Sequence, residues 1–217
     1  TLFRSWKAYM QSMFSHGNTN KLVTSMGDYA RKHNPFVSYS DIQRNPARMA
    51  HIVDFSHFAT DLTNQSASDF SWISPDVCHD MHGRAALNPD DPCGSTQGAI
   101  QLGDSFLRTT VAEIMQSSAW SENSLILITW DEDDTSSDSS SGCCTANPGG
   151  GHILTLAIQS GQQTPRSLHT AYNHYSLLAT LEENWQLGCL GATCETADVR
   201  SVHELLLSKN DELKQFP

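Results

Sequence analysis

The chain has 217 residues, of which 38% are hydrophobic and 17% charged, and a formal net charge of −11. That composition belongs to a folded globular protein with enough length for a full core, not to a disordered one. The acidic balance, with no Lys/Arg cluster beside it, excludes a nucleic-acid backbone binder. No apolar run reaches the roughly 18 residues that a membrane-spanning helix needs.

In chain order, SWKAYMQ at 5–11 reads as a strand, and MGDYARKHNPF at 26–36 as a short helix stopped by Pro35. A further short helix is expected over 56–62. DFSWISP at 69–75 reads as a strand ended by proline. The pattern of 103–120 predicts a helix with Asp104 as its N-cap and Leu107, Val111, Ile114 and Met115 on one face. SLILITW at 124–130 and ILTLAIQ at 153–159 are continuous apolar runs of strand length, suited to a parallel sheet covered on both faces. Between them, 133–142 has the composition of a solvated loop. Residues 173–188 predict a helix with Leu177, Leu178, Leu181 and Trp185 on one face and Gly188 just past its end. Strands alternating with helices imply the α/β class. No linker or internal repeat divides the chain, so one domain is expected over 1–217.

Six cysteines stand at 78, 93, 143, 144, 189 and 194. Six allow 15 connectivities, and the spacings favour the local pairs 78–93, 143–144 and 189–194. An even count with close partners points to an oxidising compartment, secreted or periplasmic.

Two clusters carry candidate chemistry. Asp131 and Glu132 follow the apolar run ILITW, and ligands of open α/β sheets bind at the carboxyl ends of strands. Neighbouring carboxylates repel, and a divalent cation with oxygen ligands relieves that cost. The other reading is that residues 131–134 simply open a solvated acidic loop, to which Asp133 and Asp134 belong. The second cluster, SPDVCHDMHG at 74–83, packs Asp76, His79, Asp80 and His82 after a strand, donors able to serve one or two metal ions. His152 follows PGGG, where glycines let the backbone turn tightly beside a ligand. Gly103-Asp104-Ser105 matches the nucleophile motif of GDSL esterases, but it lies mid-chain. Its candidate D-x-x-H partners, Asp54 to His57 and Asp76 to His79, both precede it. A serine esterase is therefore the weaker alternative.

The segments SWKAYMQSM, YARKHNPFVSY, DFSWISPDVCHDMHG, SSAWSENSLILITWDEDD, PGGGHI and YNHYSLLATLEENWQLGCLG together resemble the phosphoesterase family of the alkaline phosphatase superfamily. That family holds acid phosphatases and phospholipase C-like enzymes. The likeness is nearest to secreted bacterial acid phosphatases, including phosphatidylinositol 3-phosphate phosphatases. The resemblance implies an alkaline phosphatase-like three-layer sandwich with a mostly parallel central sheet. It also implies metal-assisted hydrolysis of phosphoric esters. On that resemblance a divalent metal ion would be held by Asp131, Glu132, Asp80 and Asp76, and His152, His79 and His82 would act on the phosphoryl group. The substrate is then a small phosphorylated compound or a phospholipid head group. Family members place an acidic-Asn strand end and a Ser or Thr nucleophile ahead of the region matching TLFRSWKAYM. The likeness accordingly covers the C-terminal two-thirds of the family domain, without that nucleophile segment. Two further expectations follow. A sheet lacking an inner strand exposes an edge that a second chain would cover. A descendant binding a metal or phosphorylated ligand without turnover is the main alternative to an enzyme.

Overall fold

The computed structural model describes residues 4–14, 20, 22, 25–133, 142–144, 149–161, 164–195 and 199–203. They fall into two compact units, Thr1–Trp120 and Ser121–Pro217. The first contains β1 (Trp6–Met10), β2 (Ser25–Met26), β3 (Tyr29–Ala30), α1 (Ser40–Gln43), α2 (Pro46–Met49), β4 (Ile52–Asp54), α3 (Phe58–Thr63), β5 (Phe70–Ser74) and α4 (Thr96–Gln116).

Strand β1 is the centre of a parallel sheet ordered β4-β1-β5. Side chains of a strand alternate between faces, and both faces of β1 are covered. Ala8 and Met10 enter a core with Met13, Tyr29, Val37 and Ile52, packed by Ile42 of α1 and Met49 of α2. Tyr9 enters the opposite core with Phe58 and Leu62 of α3 and Ile114 of α4. Helices therefore lie on both sides of the parallel sheet, and the unit is an α/β three-layer arrangement. This is why SWKAYMQ is a strand although it does not alternate polar and apolar.

The Tyr9 face also carries a polar tie. Lys7 Nζ and Tyr9 Oη both donate to Asp61 Oδ2, at 2.7 and 2.8 Å, and Ser66 Oγ donates to Asp61 Oδ1 at 3.1 Å. Burial, with the hydrogen bond to and the charge of Asp61, pushes the Tyr9 phenol well above its usual range. Asp61 thus fastens α3 to β1. Asp61→Ala strands a largely buried lysine and a buried phenol, and should cost roughly 1–3 kcal/mol in a denaturant titration. An unchanged midpoint would remove the tie from the account.

Two expected elements differ. Residues 26–36 form a two-residue-strand hairpin, β2–β3, followed by 3₁₀ turns at Arg31–His33 and Pro35–Ser38. Gly27, at φ 60°, starts the Gly27-Asp28 turn, and a tight hairpin turn needs that conformation. Helix α4 begins well before Asp104. Ser95 is its N-cap, its side chain accepting from Gly98 N, while Asp104 sits mid-helix and pairs with Arg108 at 2.6 Å. Its buried line runs through Ala99, Gly103 and Thr110, and Met115 is exposed.

The second unit contains β6 (Leu125–Thr129), β7 (Thr155–Gln159), α5 (His174–Trp185) and α6 (Ala192–Glu195). The two apolar runs are strands as expected, but they pair antiparallel with each other, Leu127 opposite Ala157. Their apolar character does not reflect burial on both faces, since Leu154 and Leu156 are exposed. Helix α5 has a reciprocal capping box between Asn173 and Ser176 and ends at Gln186 in the left-handed conformation. Leu177, Leu178, Leu181 and Trp185 are each partly buried. The cysteines pair 78–93, 143–144 and 189–194. Among the described residues no helix is long and apolar enough to cross a membrane.

Candidate functional site

The carboxyl ends of β1, β4 and β5 lie on one side of the sheet because all three strands run parallel. Sites of α/β proteins form at such ends. Gln11 and Ser12 leave β1 there, and the turn 76–80 leaves β5. Asp76 organises this turn. Its side chain is 4% exposed. Its Oδ2 accepts from Ser12 Oγ at 2.7 Å, and its Oδ1 accepts from the backbone N–H groups of Cys78 and His79 at 3.1 and 3.2 Å. The same Oδ1 stands 2.7 Å from His79 Nδ1. Asp76 N–H donates to Gln11 Oε1 at 3.0 Å. Ser12 holds φ at 61°, a left-handed conformation that costs a non-glycine residue about 1–3 kcal/mol and clusters at functional sites.

Burial alone would raise the Asp76 carboxyl. Hydrogen bonds from His79 and Ser12, and the charge of His79, outweigh it and hold the group below the usual carboxylate range. The reciprocal effect raises His79. The hydrogen bond to Asp76 is the largest cause, burial opposes it, and the charges of Asp76, Asp28 and Asp80 add to the rise. The His79 ring also lies 5.7 Å from Phe106.

Asp80 is similarly engaged. Its Oδ1 accepts from His82 N–H at 2.8 Å, and its Oδ2 stands 3.1 Å from His33 Nδ1. His82 Nδ1 lies 2.8 Å from Gly83 O. The Cys78–Cys93 disulfide closes the segment, and Arg84 clamps its far side, pairing with Asp28 and Asp91 at 2.5 Å each.

In the second unit Asp131 and Glu132 follow β6 with exposed side chains. Asp131 O accepts from His174 Nε2 at 2.9 Å. Asp133 N–H donates to Gly150 O at 2.8 Å, and His152 N–H donates to Asp133 Oδ2 at 3.1 Å. Gly151 sits at φ 77°, and a Cβ there would fall 1.9 Å from Asp133 Oδ2. Glycine is therefore required where the two segments meet. The structure brings Asp131, Glu132 and His152 onto adjoining segments, and Asp133, expected as loop, is what joins them. Asp134 and most of the serine-rich stretch lie outside the described residues.

A divalent cation was expected on Asp131, Glu132, Asp80 and Asp76. Among the described residues no group of three or more His, Cys, Asp or Glu side chains is arranged to hold one. Both oxygens of Asp76 and both of Asp80 already have partners inside the protein, and Asp76 is buried. Asp131 and Glu132 do fit as oxygen donors: hard carboxylates, exposed, at a strand end. Two residues escaped the sequence reading. His33 lies far from the cluster along the chain, and His174 opens a helix whose apolar pattern drew the attention. The GDSL-like Ser105 is exposed in the middle of α4, which is not a strand-end elbow.

The chain spans about two fifths of the length of the curated relatives it matches. It is 28% identical over 196 residues to an acid phosphatase of Aspergillus fumigatus, covering 86% of this chain and 38% of that protein. It is 27% identical to a probable acid phosphatase of Kluyveromyces lactis, over 91% of this chain and 43% of the relative. It is 28% identical to a phosphatidylinositol-3-phosphatase of Mycobacterium tuberculosis, over 76% and 44%. The model of the phosphoesterase family matches residues 4–188, and with most of its length so matched the chain belongs to the phosphoesterase family.

Proposed function

We propose that this chain carries the centre of a phosphoric ester hydrolase of the acid phosphatase type. Its substrate is a small phosphorylated compound, a phosphomonoester first and a phosphoinositide or other phospholipid head group second. The observation that carries this reading is the pair of exposed carboxylates at the end of β6, fastened through Asp133 to the segment of His152. The acid phosphatases among its relatives support it. A divalent cation on Asp131 and Glu132 would polarise a phosphoryl oxygen and neutralise developing negative charge. The first unit, taken by itself, holds residues suited to proton handling. His79, fixed at Nδ1 by Asp76, presents Nε2 as an acceptor when neutral and a donor when charged, the two states that general acid–base work requires. His82, with Nδ1 against Gly83 O, is held in the same sense. Its three disulfides support a secreted or periplasmic location.

Hydrolysis of p-nitrophenyl phosphate by the 217-residue chain at acid and neutral pH, with and without chelator, tests the reading. Phosphate release that chelator abolishes and added divalent ion restores is the expected result. A chain that melts cooperatively yet releases no phosphate in any arm would mark it instead as a non-catalytic binder.

A further inference from the structure

The first unit holds two carboxylate–imidazole pairs, one hydrogen-bonded and one a close ion-pair contact. Asp76 meets His79 through Nδ1, and Asp80 meets His33 through Nδ1. The two carboxylates belong to one turn, because Asp80 N–H and His79 N–H both donate to Asp76 O, at 2.9 and 3.0 Å. His33 reaches that turn from a separate segment and is held there twice. Ser74 Oγ, at the carboxyl end of β5, donates to the His33 carbonyl at 2.9 Å, and Asp80 takes the ring. Both histidines are partly exposed, at 30% and 22%. Among the described residues neither Nε2 has a hydrogen-bond partner.

We propose that His33 is a further member of the site, that it and His79 work through Nε2, and that Asp80 and Asp76 are their positioning residues. The physical reason lies in the tautomer. A neutral imidazole carries one N–H, and a carboxylate beside Nδ1 keeps the hydrogen there. Nε2 is then a lone pair facing outward. It takes a proton from water or an alcohol and returns it to a departing ester oxygen. The proposal rests on the phosphoester reading only for what the two Nε2 atoms act upon.

Ring-nitrogen NMR of the uniformly ¹⁵N-labelled 217-residue chain, in chelator and at alkaline pH, tests it without any turnover. His33→Gln and His79→Gln assign the two rings. Both should show the hydrogen on Nδ1. Asp80→Asn should move the His33 ring alone toward the Nε2–H form, Asp76→Asn the His79 ring alone, and Asp80→Glu should restore the His33 pattern. Rings carrying the hydrogen on Nε2 in the unaltered chain would overturn the proposal even if no variant folded. So would an Asp80→Asn spectrum in which His33 does not move. A chain that shows both Nδ1–H tautomers yet hydrolyses no phosphoester keeps the positioning assignment and loses the phosphatase reading.

Discussion

Replacing Cys78 and Cys93 together by serine should cost about 3 kcal/mol, the stabilisation expected of a disulfide closing a loop of this length. The bond spans 15 residues, and those residues include His79, Asp80 and His82. Cys78 and Cys93 are 4% and 2% exposed, so two buried hydroxyls add to the cost. The loss has a local consequence as well. Gly83 N–H donates to Val77 O, and Arg84 N–H to Cys93 O at 3.1 Å. The disulfide holds the two ends of that small network together. Chemical denaturation with and without reductant, beside the double variant, measures the effect. Reductant should lower the midpoint of the parent chain by more than that of the variant, which keeps the two other disulfides. Equal midpoints for parent and variant would mean the loop is held by other contacts.

Asp76→Asn should be the most disruptive single change in the first unit. Its carboxylate accepts from Ser12, Cys78, His79 N–H and the His79 ring, and hydrogen bonds to a charged group are worth about 1.5–3 kcal/mol each. The effect depends on pH, with a definite sign. His79 is raised in the folded chain, so its contribution is complete below the unfolded value of about 6.5 and fades as pH rises through the folded value. Asp76 is lowered, so its contribution is complete above about 3.9 and fades as pH falls through its folded value. The pair therefore stabilises most between roughly pH 4 and pH 6.5. Melting temperatures across that range and on either side should separate parent from Asp76→Asn most widely inside it. Parallel curves from acid to alkaline pH would contradict the pairing.

Part of this arrangement was legible in the sequence. FSWIS ended by Pro75 gave β5, and WKAYM gave the centre of the sheet. The cluster following β5 stood out because Asp76, His79, Asp80 and His82 are close along the chain. Their roles were not legible. Beside local partners, each aspartate takes one that spacing does not show: Ser12, 64 residues away, for Asp76, and His33 for Asp80. Tertiary pairing, not spacing, decides which carboxylate remains available. The same limit applies at 26–36, where periodicity favoured a helix and one glycine at positive φ turned the chain into a hairpin. It applies also to β6 and β7, whose continuous apolar runs imply two-faced burial but serve an antiparallel pair with exposed leucines. In the other direction Asp133 looked like the start of a loop. The hydrogen bond from His152 N–H to the Asp133 carboxylate, beside Gly151 at positive φ, reveals the tie.

The central claim, that these residues serve a phosphoric ester and not a carboxylic one, is best tested by one paired assay. The parent chain, Asp131→Ala and Ser105→Ala are compared on p-nitrophenyl phosphate and p-nitrophenyl acetate. Phosphate ester cleavage by the parent, reduced on the order of 100-fold or more by Asp131→Ala and untouched by Ser105→Ala, is the predicted result. Acetate cleavage that vanishes in Ser105→Ala, with Asp131→Ala fully active, would contradict the account.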